Sequence, residues 1–393
     1  MREPPPAALS RGILLIMNEL SQGGGDRVAV VLANGFARAG IPTRILLLRD
    51  ARQPELEAVL DERVSVISAG NALGLRLSAR REPLGHRHLE RVRGIRLIRR
   101  QIDAFAPAVV LGATDNMAFI TALARRRKDR DILFAFKLTN RLSRPNIGLL
   151  RRIYRYNLFK FIFDRVDLVL TLSEGERRHV LSVHPGREKL LRAVANPYVT
   201  DEMLAGTARL SPGPPQLLAA GRMVRQKRFD LLLRAFALVR HRSARLTILG
   251  DGPLRGSLQK LARSLGIADR VDMPGYVADV VGWLRRSDLF VLSSDYEGLP
   301  AVIVEALACN VPVATTESFF AARELFGHFP SCAITPTGNP HALAQAIDRC
   351  LDARRDDDLR TAAAPYRIEA AVSAHIDALA AAVERQNRAE TPA

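Results

Sequence analysis

The chain has 393 residues, of which 48% are hydrophobic and 25% charged, and it carries a formal net charge of +17. That length is too great for one ordinary core and that balance belongs to soluble globular proteins, so a single small domain and a disordered chain are excluded and two domains are expected. The charge is lopsided: residues 1–200 hold 35 Lys and Arg against 19 Asp and Glu, a net +16, which leaves +1 for the rest. A basic half calls for an anionic partner, such as a nucleic acid, an anionic bilayer surface or an acidic substrate. No run approaches the ~18 apolar residues of a spanning helix. Residues 1–10 are proline-rich and polar and lack the apolar centre of a signal peptide, and Cys309, Cys332 and Cys350 offer neither metal spacing nor a disulfide framework. Both features fit a cytoplasmic protein.

In chain order, Gly12–Met17 reads as an apolar strand, followed by a turn through Gly23, Gly24, Gly25 and Asp26. A helix follows, with Val28, Val31, Leu32 and Phe36 on one face and Gly40 at its close. Strand, glycine run and helix start could cradle a phosphate, because glycines let backbone N–H groups approach an anion. The run is neither a dinucleotide-binding fingerprint nor a P-loop, and a flexible turn is the competing reading. Further strand-like runs fall at 44–48, 64–68, 108–112, 132–137, 167–172 and 190–194, with helical patterns between them. Repeated strand–helix units of this kind build a parallel sheet. Two helices, near 86–105 and 149–163, mix arginines with an apolar stripe. Such helices suit an anionic membrane surface, or they face a core and show a basic back to water.

After Asn196-Pro197 the pattern stops, and residues 201–215 read as a linker ending in Ser211-Pro212-Gly213-Pro214-Pro215. A second series of strands is expected at 216–220, 245–250, 271–275, 289–293, 311–315 and 332–335. The expected organisation is therefore a first domain over 1–200, a second over 216–375, and a carboxyl-terminal helix and tail over 376–393 that packs back on the first. From Pro365 the chain is Ala-rich and helical to about Arg385.

The second series places glycines at strand ends. Gly221-Arg222 runs through to Lys227, putting two cations five residues apart in a strand-to-helix turn. Gly250-Asp251-Gly252-Pro253 and Pro274-Gly275-Tyr276-Val277 are two more glycine turns. The fourth is Tyr296-Glu297-Gly298-Leu299-Pro300, followed by a helix carrying Glu305, with Pro300 suited to the first helical position. Ligand crevices in open α/β sheets lie at the carboxyl ends of strands, so four such turns converge on one anion-binding crevice.

In these motifs the chain resembles glycosyltransferase family 4, the retaining nucleotide-sugar transferases of GT-B architecture. The resemblance rests on Gly221-Arg222 through Lys227, Gly250-Asp251-Gly252-Pro253, Pro274-Gly275-Tyr276-Val277 and Glu297 to Glu305. Asn196-Pro197, Ser173-Glu174 and the Gly23–Gly25 turn add to it. It implies an α/β fold of two doubly wound, Rossmann-like parallel-sheet domains facing a cleft. It also implies transfer of a hexose from a nucleotide diphosphate sugar, UDP before GDP, to a hydroxyl of a glycan or lipid-linked acceptor in cell-surface polysaccharide or glycolipid synthesis. By the same resemblance Arg222 and Lys227 grip the diphosphate beside Gly221, Gly250 and Gly252. Glu305 accepts from the ribose hydroxyls and Val277 meets the base. Glu297, with the N–H groups of Gly298 and Leu299, faces the sugar, and Gly24 and Gly25 close over the β-phosphate. Arg222, Lys227 and Glu297 are the expected catalytic residues. No metal or other cofactor and no nucleic-acid partner is implied. The basic first half makes a peripheral position at the inner membrane face the expected one.

Four departures from the family pattern stand out. Lys137-Leu138-Thr139-Asn140 replaces a motif that often carries a histidine, so Thr139 or Asn140 is the residue to examine there. Arg228 follows Lys227 where glycine is usual, a Phe319-Phe320 loop precedes Glu324 where glycines are usual, and Asn310 stands at a helix end that glycine commonly closes. Asp356-Asp357-Asp358 reads as a solvated run rather than a metal site. The competing functions are an epimerase or phosphorylase on the same fold, and a non-catalytic protein that binds nucleic acid or membrane.

Overall fold

The structure, a computed structural model, describes residues 5–21, 23–49, 51–69, 84–139, 141–142, 148–206 and 213–390, with the side chains of 84–91, 116 and 390 left out. Contacts divide the chain into two units, Met1–Pro197 with Ile368–Ala393, and Tyr198–Arg367. Asn140, most of the Ser211–Pro215 run's start and part of the expected linker (207–212) lie outside the described residues.

The first unit is a seven-stranded parallel sheet in the order β3-β2-β1-β4-β5-β6-β7. Its strands are β1 (Ile13–Met17), β2 (Thr43–Leu47), β3 (Val64–Ser68), β4 (Val109–Gly112), β5 (Leu133–Lys137), β6 (Leu168–Thr171) and β7 (Leu191–Ala193). β1, β4, β5 and β6 are buried at every position, which is why they read as unbroken apolar runs rather than alternating ones. Leu97, Ile98 and Ile102 of helix Leu84–Phe105 pack on Leu14, Val110 and Phe134. Phe159, Ile162 and Phe163 pack with Phe136 and Val169. The last helix, Ile368–Glu390, belongs to this unit and lies so close to helix Gly24–Arg38 that a Cβ on Gly35 would come 2.5 Å from Val372 Cγ1.

The second unit is a six-stranded parallel sheet in the order β10-β9-β8-β11-β12-β13. Its strands are β8 (Gln216–Ala220), β9 (Arg245–Leu249), β10 (Val271–Gly275), β11 (Leu289–Leu292), β12 (Val313–Thr316) and β13 (Ala333–Thr335). Helices Phe229–Leu238 and Pro340–Asp352 share one core with these strands through Leu232, Phe236, Leu343 and Ile347. The chain enters and leaves this unit side by side. The N–H groups of Tyr198 and Val199 donate to the Tyr366 carbonyl at 3.0 and 2.9 Å, and the Tyr198 and Tyr366 rings stack at 6.3 Å. The stretch expected as a linker opens with a short helix, Asp201–Ala205, tied to the unit by the Arg367–Asp201 ion pair at 2.8 Å.

In both sheets the strand order reverses beside the first strand, between β1 and β4 and between β8 and β11. Such switch points open a crevice at the carboxyl edge, because the crossovers on either side leave in opposite directions.

Candidate active site

At the switch point of the second unit, a 3-10 turn over Arg225–Lys227 follows β8. Two hydrogen bonds lace it to the end of β11: Ser293 Oγ donates to the Lys227 carbonyl at 2.8 Å, and the Asp295 N–H to the Gln226 carbonyl at 2.9 Å. The turn thereby delivers Lys227 Nζ to within 2.8 Å of Glu297 Oε1, with only 18% and 12% of the two side chains exposed. Ser294, fully buried, donates its hydroxyl to the same Oε1 at 2.7 Å. The Glu297 N–H donates to the Ser318 carbonyl at 2.8 Å, so backbone and carboxylate are both held. Gln226 Nε2 adds a further tie between the two loops by donating to the Tyr296 carbonyl at 2.8 Å. A lysine and a carboxylate fixed this way can exchange partners: the ammonium turns to an incoming phosphate and the carboxylate to a hydroxyl.

The glycines set the backbone of this edge. Gly221 has φ 148° and a Cβ there would lie 3.0 Å from Lys227 Cε. Gly250, at φ 115°, would put a Cβ 2.2 Å from the Gly221 carbonyl oxygen, and Gly252, at φ 158°, one 2.6 Å from that of Met223. The loops after β8, β9 and β10 are joined backbone to backbone, with Gly221 N–H donating to Leu249, Met223 N–H to Asp251 and Gly250 N–H to Gly275. A side chain at Gly250 or Gly252 would force them apart. Arg222 is exposed on this edge and forms no ion pair among the described residues. Val277, half-buried, follows β10 at the same edge.

The fourth turn ends in helix Ala301–Ala308. Pro300 takes the N-cap, one residue before the first helical position expected of it, a shift without cost because neither position needs its N–H. Gly298 is half-buried and Leu299 buried, and the first N–H groups of this helix have no intrahelical partner. Glu305 is half-buried on the same helix.

Arg228 stands in the left-handed region at φ 49°, ψ 41°. Asp295 at 2.8 Å and Asp230 at 3.1 Å hold its guanidinium, and the Asp230 pairing raises the guanidinium pKa. Asn310 is also left-handed, at φ 58°, as its helix-end position demands, and its Oδ1 accepts from the Leu359 N–H at 2.9 Å. In the loop before Glu324, Phe319 turns into the core against Phe326. Asp358 pairs with Arg360 at 2.7 Å and Asp357 accepts from the Ser331 N–H at 3.1 Å, a structural use of that acidic run. Among the described residues no group of three His, Cys, Asp or Glu side chains could hold a metal ion.

In the first unit, Gly24 and Gly25 open helix Gly24–Arg38 at the other switch point. A Cβ on Gly24 would touch nothing, and one on Gly25 would lie 3.3 Å from Thr114 Cγ2, beyond the end of β4. Asp26 shares the first turn of the helix; burial raises its carboxyl pKa, and the Ser21 hydroxyl and N–H hold it. Further along the edge, the Thr139 N–H donates to Asp115 Oδ1 at 2.6 Å. Lys137, at the end of β5, is fully buried with Nζ 2.6 Å from His375 Nε2 on the last helix. His375 Nδ1 lies 2.7 Å from the Ala371 carbonyl, which makes Nδ1 the protonated nitrogen and Nε2 the acceptor from Lys137. Burial pushes Lys137 down to about 7 and Glu176 up to about 8. Sequence reading missed this cluster; the only signal was a lysine closing an apolar strand.

Residues 207–367 match the family described as glycosyl transferases group 1, and residues 23–197 match the glycosyl transferase 4-like domain. This chain belongs to the glycosyltransferases of GT-B architecture. One relative, from Campylobacter jejuni, is an N-acetylgalactosamine-N,N'-diacetylbacillosaminyl-diphospho-undecaprenol 4-alpha-N-acetylgalactosaminyltransferase. It is 26% identical over 231 residues, spanning 57% of this chain and 61% of that protein, so less than two thirds of the relative's length is matched. Among solved structures, the lipopolysaccharide outer core galactosyltransferase WaaB superposes with a TM-score of 0.72 at 17% identity, over 93% of this chain and 98% of its own. Anabaena Alr3699/HepE in complex with UDP superposes with a TM-score of 0.65 at 18% identity, over 96% and 98%. At these identities the likeness is one of fold.

Proposed function

We propose that this glycosyltransferase moves a hexose from a nucleotide diphosphate sugar, UDP before GDP, to a hydroxyl of a glycan or lipid-linked acceptor, with retention at the anomeric carbon. The observation that carries this reading is the Lys227–Glu297 pair, held at 2.8 Å at the switch point of the second sheet beside the interlocked glycine turns. The family membership and the UDP bound to HepE, a structural neighbour, support the donor class. The relative that acts on a diphospho-undecaprenol and the neighbour that builds lipopolysaccharide support the acceptor class.

In the proposed reaction the bond from the anomeric carbon to the β-phosphate oxygen breaks, and charge gathers on the departing diphosphate. Lys227 and Arg222 neutralise it, with backbone N–H groups of the glycine turns and of the helix at Ala301. The acceptor oxygen attacks from the face the diphosphate leaves, and its proton passes to the leaving phosphate oxygen. Glu297, with Gly298 and Leu299, orients the sugar, Glu305 the ribose, and Val277 the base. These side chains supply the positive charge that a metal would otherwise bring, so turnover is expected to survive EDTA. Gly24 and Gly25 are proposed to contact the donor phosphate, on the resemblance alone. The protein is proposed to work in the cytoplasm, at the inner membrane face.

A thermal-shift panel of nucleotide sugars on the wild type and on Glu305→Ala tests the donor site. One nucleotide should stabilise the wild type and lose that effect in the variant. Stabilisation by none would overturn the assignment. Conversion of a nucleotide sugar with no acceptor present would favour an epimerase instead.

A further inference from the structure

The two basic, apolar helices of the first unit carry similar mixtures of residues, and the fold uses them in opposite ways. Helix Leu84–Phe105 buries Leu97, Ile98 and Ile102, and its Arg99 donates to the Leu123 and Ala124 carbonyls at 3.1 and 3.0 Å. Over residues 92–105 it faces a core, with Arg96 and Arg100 exposed. Helix Leu149–Phe163 buries only its last turns, through Phe159, Ile162 and Phe163. Its first two turns are inverted. Leu149 is 69% exposed, Leu150 83%, Ile153 50% and Tyr154 65%. These four positions share one face of a helix, and that face looks into solvent. Arg155, at mid-helix, donates to the Leu142 carbonyl at 2.9 Å and lies 5.6 Å over the Phe159 ring, so the helix is held from its middle onward.

Large apolar side chains gathered on a solvent-facing helix surface call for a cover. The charges beside them select it. Arg151, Arg152 and Lys160 are exposed next to the apolar face, and residues 148–163 contain no Asp or Glu. A second copy of the chain would bring the same cations to the contact, a like-charge juxtaposition that interfaces avoid. Nucleic acid would use the arginines and leave Leu150 and Ile153 in water. An anionic bilayer takes both: the arginines reach headgroup phosphates while the leucines, isoleucine and tyrosine enter the acyl boundary.

We propose that the first two turns of helix Leu149–Phe163 dock this protein onto an anionic lipid surface. The contact is in-plane and peripheral, since no helix among the described residues is long and apolar enough to cross a membrane. It stands apart from the donor chemistry and is measured with neither donor nor acceptor present, so its failure and the failure of the transferase reading are separate results.

The test is flotation of the full chain with vesicles of phosphatidylcholine alone or mixed with phosphatidylglycerol. The wild type should float with the mixed vesicles, and raised salt should weaken this. Leu150→Glu with Ile153→Glu should lower partitioning at least about tenfold, and Arg151→Gln with Arg152→Gln by about tenfold at low salt. Both double variants should keep the wild-type melting temperature, because all four side chains are exposed. Equal partitioning to both vesicle types, or unchanged flotation of Leu150→Glu with Ile153→Glu, would overturn the proposal. So would a wild-type dimer in light scattering that this variant dissolves, which would make the face a contact between copies.

Discussion

Lys227 and Glu297 lie 2.8 Å apart on loops that leave adjacent strands, β8 and β11, and 70 residues of chain separate the second link between these loops, Gln226 to the Tyr296 carbonyl. A pair so shielded holds its geometry before any ligand arrives, which is what electrostatic stabilisation of a leaving group requires. Lys227→Ala should therefore lower turnover about a hundredfold to a thousandfold. Glu297→Gln keeps an oxygen for Ser294 and should bind nucleoside diphosphate at least as well as the wild type while losing turnover. Calorimetry with UDP and a transfer assay separate the two effects. Wild-type turnover in Lys227→Ala would refute the assignment.

Arg228 occupies a left-handed backbone that costs a non-glycine residue about 1–2 kcal/mol. Its pairs with Asp295 and Asp230 offset that cost and tie the Lys227 turn to the loop before Glu297. Arg228→Gly loses the pairs and the strain together and should stay within about 1 kcal/mol of the wild type in urea unfolding. Arg228→Ala keeps the strain and loses the pairs, so it should be the less stable of the two.

Gly250→Ala places a methyl group 2.2 Å from the Gly221 carbonyl oxygen at φ 115°. A loss of about 3 kcal/mol or more is expected, with nucleotide binding lost alongside. Gly24→Ala meets nothing within 4 Å and should leave stability within about 0.5 kcal/mol. A fall in transfer rate in that variant would then report on donor contact at the first unit's glycine turn.

Burial, and then the Lys137 ammonium, hold the His375 pKa well below its ordinary value. The unfolded chain protonates this ring near pH 6.5 and the folded chain does not, so the stability it supports falls as pH drops through that value. Glu176, raised to about 8 by burial, has the opposite sign: the folded state binds the extra proton between the ordinary carboxyl range and about 8, and stability falls as pH rises across it. Thermal melts should show the wild-type advantage over His375→Gln shrinking on acidification. Glu176→Gln should gain on the wild type as pH rises toward 8.

The strands and the glycine turns were legible because their signals are local. Strands such as β1, β4, β6 and β11 announce themselves by apolar runs buried at every position, and the strand-end glycines by the backbone they alone adopt. The spacing from Glu297 to Glu305 places one carboxylate in a loop and one on the helix after it, which is again a matter of neighbours in sequence. Partners across the chain were decided by tertiary structure. Lys227 and Gln226 beside Glu297, the Arg228 tether, and Lys137 against His375 at a separation of 238 residues depend on which elements lie side by side. The same holds for helix Leu149–Phe163. Its composition says that it has an apolar face, but periodicity does not say what stands opposite that face, and here the fold leaves Leu150 and Ile153 looking outward.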